Sequence, residues 1–187
     1  MTEGDEAEAE LVERARGGDR EAFAMLVAHH QQPLGGYLFH LLGDRELALD
    51  LTQDTFVRAY TALSATRPGL AMRAWLFRIA TNLAYDVLRR RRRIAWLPLA
   101  VVETRIASQD AAPTEEQELV RLALGSLRPE EQVVLVLCTI EQHTLGQVAA
   151  TLSTSPDAVR KRLSRAKERF RQAYAELSRE VAAQPNA

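Results

Sequence analysis

The sequence predicts an all-α protein: two small helical domains joined by a flexible linker, with a helix-turn-helix in the C-terminal half. Three observations carry this expectation. Apolar residues recur at helical spacing along most of the chain, and strand-like alternation is almost absent. Capping residues, prolines and glycines fall where those periodic stretches begin and end. Between residues 94 and 114 the period fails, Pro98 and Pro113 appear, and the gap is long for a connection inside one domain. The expected organisation is therefore a domain at 1–93, a linker at 94–114 and a second domain at 115–187.

Taken in order, Leu11 to about His29 is apolar at Leu11, Ala15, Phe23, Leu26 and Val27, and is broken by Gly17-Gly18. Pro33 begins a separate apolar stretch, Leu34 to Leu42, which ends at Gly43. Asp44 suits the N-cap of a helix running to about Leu63. Ser64 to Leu70 contains Pro68-Gly69 and reads as a loop. A long helix follows, about Met72 to Arg92, with Met72, Leu76, Ile79, Leu83 and Val87 on one face. Trp75 reads as core. After the gap, helix resumes at Glu115 to about Gly125. Another opens at Arg128-Pro129-Glu130-Glu131, where proline suits the first helical position and acids complement the positive helix end. Thr144 to Gln147 has the form of a capping box, and Leu152-Ser153-Thr154 reads as a tight turn. Ser155-Pro156-Asp157 then starts a last helix reaching about Val181.

Composition excludes several classes. In 187 residues no window approaches the roughly 20 apolar residues that cross a bilayer, and the acidic start is unlike a secretory signal. A cytoplasmic protein is expected, without membrane insertion. Cys138 is the single cysteine, so no internal disulfide can form, and its apolar surroundings mark it as a buried small hydrophobe. The four histidines, His29, His30, His40 and His143, do not pair with cysteines or carboxylates at metal-ligand spacing. No metal site or cofactor is expected. There is also no nucleophile–base pair or phosphate loop, which argues against a helical enzyme.

The net charge of −1 hides two basic clusters. Arg89 to Arg93 is a run of five arginines. From Pro156 to Arg171 there are seven basic residues against two acidic ones. In the last helix Val159, Leu163, Ala166 and Phe170 share one face, and Arg160, Lys161, Ser164 and Arg165 fall on the other side. A capped helix with a basic outer face, entered through a tight turn, meets the requirements for major-groove entry. On the earlier long helix, Arg78, Asn82, Tyr85 and Arg89 form a cationic and aromatic stripe. Such a stripe can hold a single strand: arginines meet phosphates, tyrosine stacks, and asparagine reads a base edge. An ordinary helix-turn-helix regulator would explain the C-terminal half but not this stripe.

Three segments together resemble the ECF-type bacterial RNA polymerase sigma factors. Asp50-Leu-Thr-Gln-Asp-Thr-Phe-Val-Arg-Ala-Tyr60 is similar to that family's second conserved segment. Arg73 to Arg90 resembles its promoter-melting helix, and Leu127 to Phe170 its fourth region. The resemblance implies that Asp50, Gln53, Asp54 and Arg58 bind the clamp helices of core RNA polymerase. It implies that Arg78, Asn82, Tyr85, Arg89 and Arg90, with the loop Ser64 to Leu70, capture unstacked bases of the minus-ten element. Arg160, Lys161, Arg162, Ser164, Arg165 and Lys167 would read the minus-thirty-five element in the major groove. The helices before them would touch the polymerase flap, and an anti-sigma factor is an implied partner. The protein would then be nucleoid-associated when bound to polymerase. The sequence departs from the family at Leu145-Gly146-Gln147, Ser153 and Ala158, where an aromatic–acidic pair, a glycine and a threonine are usual.

Overall fold

The structure, a computed structural model, describes residues 3–95 and 114–183. Among the described residues there are eight helices and no strand: α1 (Glu3–Arg16), α2 (Arg20–Leu42), α3 (Arg45–Leu63), α4 (Met72–Ala95), α5 (Glu115–Ser126), α6 (Pro129–Thr139), α7 (Leu145–Leu152) and α8 (Pro156–Ala183). The chain divides into two compact units, Met1–Val87 and Leu88–Ala187. That division falls inside α4, ahead of the domain edge expected at residue 93. Most of the expected linker lies outside the described residues, but Ile94 and Ala95 belong to α4 and Thr114 caps α5.

In the first unit, local chemistry sets the breaks between helices. Gly18 adopts φ 96° after α1, and Asp19 then caps α2 by accepting from the Glu21 and Ala22 N–H groups, each at 3.0 Å. These bonds, led by Ala22 and joined by the Arg14 guanidinium, hold the Asp19 carboxyl below the usual carboxylate range. α2 ends where Gly43 takes the left-handed conformation and its N–H returns to the Phe39 carbonyl at 2.8 Å. Asp44 accepts from Leu47 N–H and starts α3.

The break expected at Pro33 does not exist: α2 runs through it. A proline there removes one helical hydrogen bond and crowds the preceding turn. Burial on both sides outweighs that cost. Ala22, Leu26 and His30 before it, and Leu34, Tyr37, Leu38, Leu41 and Leu42 after it, are all buried. α2 packs on both α1 and α3. Its Tyr37 ring lies 5.1 Å from the Phe77 ring, which brings α4 onto the same core.

In the second unit α8 packs against α5, α6 and α7. Val133, Val134, Val136 and Leu137 of α6 and Val148 of α7 are fully buried, as are Val159 and Ala166 of α8. Thr114 and Thr144 each form a reciprocal capping box, with Gln117 and Gln147 respectively. Glu131, buried near the start of α6, accepts two hydrogen bonds from Arg169 of α8, at 2.9 and 2.8 Å. Cys138 is half-buried, and burial pushes its thiol pKa up, against a smaller opposing effect of Lys167.

Candidate nucleic-acid interface

α7 and α8 form the expected helix-turn-helix. The turn is short because Ser153 sits at φ 52°, ψ 47°, its N–H bonding back to Ala149 and Ala150 carbonyls. Ser155 Oγ then accepts from Ala158 N–H at 3.2 Å, capping α8. Of the reading residues expected there, Arg160, Lys161, Ser164, Arg165 and Lys167 are exposed and Arg162 is half-buried. Arg160 donates to Asp157 one turn earlier at 2.6 Å, an exposed pair that holds the guanidinium along the helix. Val159 and Ala166 are fully buried and Leu163 and Phe170 half-buried, so the opposite face is the anchoring one.

On α4 the stripe is set by the row beside it. Phe77, Thr81, Ala84 and Leu88 are buried, and each is followed directly by a member of the stripe: Arg78, Asn82, Tyr85 and Arg89. Arg78, Asn82, Arg89 and Arg90 are exposed, and Tyr85 is half-buried. Thr81 Oγ1 donates to the Phe77 carbonyl at 2.6 Å, so the 2.8 Å contact with Tyr37 is donated by the tyrosine hydroxyl. This pinned threonine, with the Tyr37–Phe77 ring contact, fixes the rotation of α4 and hence the direction of the stripe. Trp75 is buried as expected, but the buried face is wider than the expected one: Phe77, Ala80, Thr81, Ala84 and Leu88 join it, while Ile79 and Val87 are only half-buried. Loop 64–71 is tied to α1 through Gly69 N–H, which donates to Glu13 at 3.2 Å.

A second surface lies between α2 and α3. Asp50, Gln53, Asp54 and Arg58 are exposed on α3, as the sequence expects. The sequence does not reveal the groove beside them, lined by Phe39, Gly36, Leu49, Gln53, Phe56 and Val57 among others. Leu49 is 54% exposed and Val57 62% exposed. The sequence reading gives neither a place; the hint available was a surplus of apolar positions around α3 over what one face can bury.

A third arrangement corrects the sequence reading of the histidines. Linear spacing pairs no histidine with a carboxylate, but the hairpin of α1 and α2 brings Glu8 to His29 and His30, with ligand atoms within 4.8 Å of one another. No helix among the described residues is long and apolar enough to cross a membrane.

A helical protein with a basic reading helix behind a tight turn, and a separate cationic–aromatic stripe, defines a DNA-binding class. The comparisons narrow it. Residues 26–94 match Sigma-70 region 2 and residues 117–170 match Sigma-70, region 4. The RNA polymerase sigma factor CarQ of Myxococcus xanthus is 33% identical, over 91% of this chain and 99% of that one. CnrH of Cupriavidus metallidurans is 34% identical over 89% of this chain and 93% of that one. The ECF RNA polymerase sigma factor SigE of Mycolicibacterium smegmatis is 35% identical, but the match spans 84% of this chain and only 63% of that longer protein. Among solved structures, CnrH in complex with the cytosolic domain of CnrY superposes with TM-score 0.65 at 30% identity, covering 96% of this chain and 99% of that one. RpoE of Bartonella quintana, solved with NepR, shares the fold with TM-score 0.63 at 23% identity, covering 81% and 95%. The chain belongs to the ECF-type RNA polymerase sigma factors, proteins that direct core polymerase to promoters.

Proposed function

We propose that this chain carries core RNA polymerase to its promoters and opens them through three surfaces with separate tasks, acting by binding rather than catalysis in the cytoplasm and on the nucleoid. The domains meant are residues 1–93 for polymerase binding and melting and 115–187 for upstream recognition. Arg160, Lys161, Ser164 and Arg165 read base edges of the minus-thirty-five element, with Arg162 and Lys167 nearer phosphates. Arg78, Asn82, Tyr85, Arg89 and Arg90, with loop 64–70, hold unstacked minus-ten bases. Gln53 lines the apolar groove of Leu49 and Val57, while Asp50, Asp54 and Arg58 are exposed on the same helix, and this combined surface docks the polymerase clamp helices. The observation that carries the reading is the stripe of α4: its exposed polar row is locked in direction by a buried row one residue away. A regulator that binds duplex DNA alone has no use for it.

The same groove suits an anti-sigma factor. CnrH is solved with the cytosolic domain of CnrY, and an inhibitor lying on Leu49 and Val57 would compete with polymerase. Run-off transcription with purified core enzyme tests the whole reading. Specific transcripts should depend on the full chain, and charge reversal at Asp54 should weaken core binding while promoter-DNA affinity of residues 115–187 stays unchanged. Absence of any promoter-specific transcript with any core enzyme–promoter combination from the source bacterium overturns it.

A further inference from the structure

The hairpin of α1 and α2 gathers three side chains outside the surfaces proposed above for DNA and polymerase. Glu8 comes from α1, and His29 and His30 from α2. His30 Nε2 lies 3.5 Å from one Glu8 carboxylate oxygen, and His29 Nε2 lies 3.7 Å from the other. His30 is 4% exposed, and its Nε2 is buried without a hydrogen-bond partner. A charge-assisted hydrogen bond between imidazole and carboxylate would close to about 2.7–2.9 Å. A tetrahedral ion with bonds of about 2.0–2.1 Å instead sets its ligand atoms roughly 3.3–3.4 Å apart. Both separations are too long for such a hydrogen bond, and with one ligand atom taken from each residue the three lie within 4.8 Å of one another, so rotation of the exposed His29 ring and of the Glu8 carboxylate closes them around one ion.

We propose that Glu8, His29 and His30 form a binding site for a divalent transition ion of the zinc type, with water completing the coordination. Two imidazole nitrogens and one carboxylate oxygen suit zinc, nickel or copper, and are a poor set for magnesium or calcium, which take oxygen ligands. The exposed His29 opens the cluster directly to solvent. Arg73 sets a repulsive charge near the site, which moderates affinity. An ion held here ties α1 to α2. Through Glu13, α1 also holds the loop at Gly69, so occupancy would stiffen that loop.

The test uses the full chain, with Zn²⁺ and Co²⁺ as probes and Mg²⁺ as control. Zn²⁺ should raise the thermal midpoint, and Co²⁺ should give the visible absorption of a four- or five-coordinate nitrogen–oxygen site at one equivalent. Mg²⁺ should do neither. His29→Ala and Glu8→Gln should each weaken binding by more than about 100-fold, beyond the roughly 10–100-fold that losing a contact which merely supports a ligand costs. The His29 side chain is 71% exposed, so its removal leaves the core packed. Failure of the wild-type chain to bind Zn²⁺ or Co²⁺ overturns the proposal. So does binding by His29→Ala as tight as wild type, which would place the ion elsewhere.

Discussion

Along α4, Met72, Trp75, Leu76, Phe77, Ala80, Thr81, Leu83, Ala84 and Leu88 are buried, whereas along the longer α8 the fully buried residues are Val159 and Ala166. Both helices carry exposed arginines, but they carry them differently. α4 buries residues along most of its length, and the stripe of Arg78, Asn82, Tyr85 and Arg89 runs beside a locked row. α8 rests on its neighbours by a thin apolar seam, an ion pair from Arg169 to buried Glu131, and a capped start. The difference matches the two kinds of DNA proposed for them. Duplex DNA is stiff and already ordered, so its reader needs a wide protruding face that enters a groove. An unstacked strand has no shape of its own, so the protein must supply fixed positions for phosphate and base.

The sharpest way to break this comparison is to cut each helix at its anchor. Phe77→Ala should cost the first unit about 3–5 kcal/mol, because a large ring is lost from a close-packed core. Val159→Ala should cost the second unit about 2 kcal/mol, two methyl groups and a smaller cavity. Denaturant unfolding of the two variants checks the order. Equal losses would mean that α8 is as deeply seated as α4.

A smaller effect sharpens the reading side. Arg165→Ala should lose about 1–3 kcal/mol of discrimination at one upstream base pair, if the contact is bidentate to guanine. Binding to promoters altered at single positions measures it. An equal loss on every sequence would make Arg165 a phosphate contact.

The smallest effect concerns the turn. Ser153 holds a left-handed conformation that costs a non-glycine residue about 1 kcal/mol or more. Ser153→Gly should therefore stabilise the second unit by about 1 kcal/mol, and leave base preference alone. A urea midpoint that does not rise would show that the serine side chain offsets its own strain.

These elements also show what a sequence can and cannot disclose. Helix starts were legible at Asp44, Pro129, Thr144 and Ser155 because capping is a local interaction between residues two or three apart. The stripe of α4 and the seam of α8 were legible because they follow helical period. The continuity of α2 through Pro33 was not, since it depends on burial against α1 and α3, which no local signal reports. The outward placement of Leu49 and Val57 on α3 was not legible either, because which face of α3 is covered depends on its packing against α2. The meeting of Glu8 with His29 and His30 depends on the tertiary hairpin, so linear spacing missed it.

The central claim is that α4 holds bases which have left the duplex, and Asn82 tests it most directly. Asn82 is exposed on the stripe directly after the pinned Thr81, and its amide can donate and accept together at a base edge. Extruding a base costs a few kcal/mol of stacking, which contacts of this kind must offset. The measurement is permanganate reactivity of minus-ten thymines in the polymerase complex, on duplex promoters and on promoters with a pre-opened bubble. With Asn82→Ala, closed-complex binding should stay near wild type, duplex opening should fall, and the bubble template should recover much of the loss. An Asn82→Ala protein that opens duplex promoters as well as wild type would contradict the account and leave Asn82 a solvated helix residue.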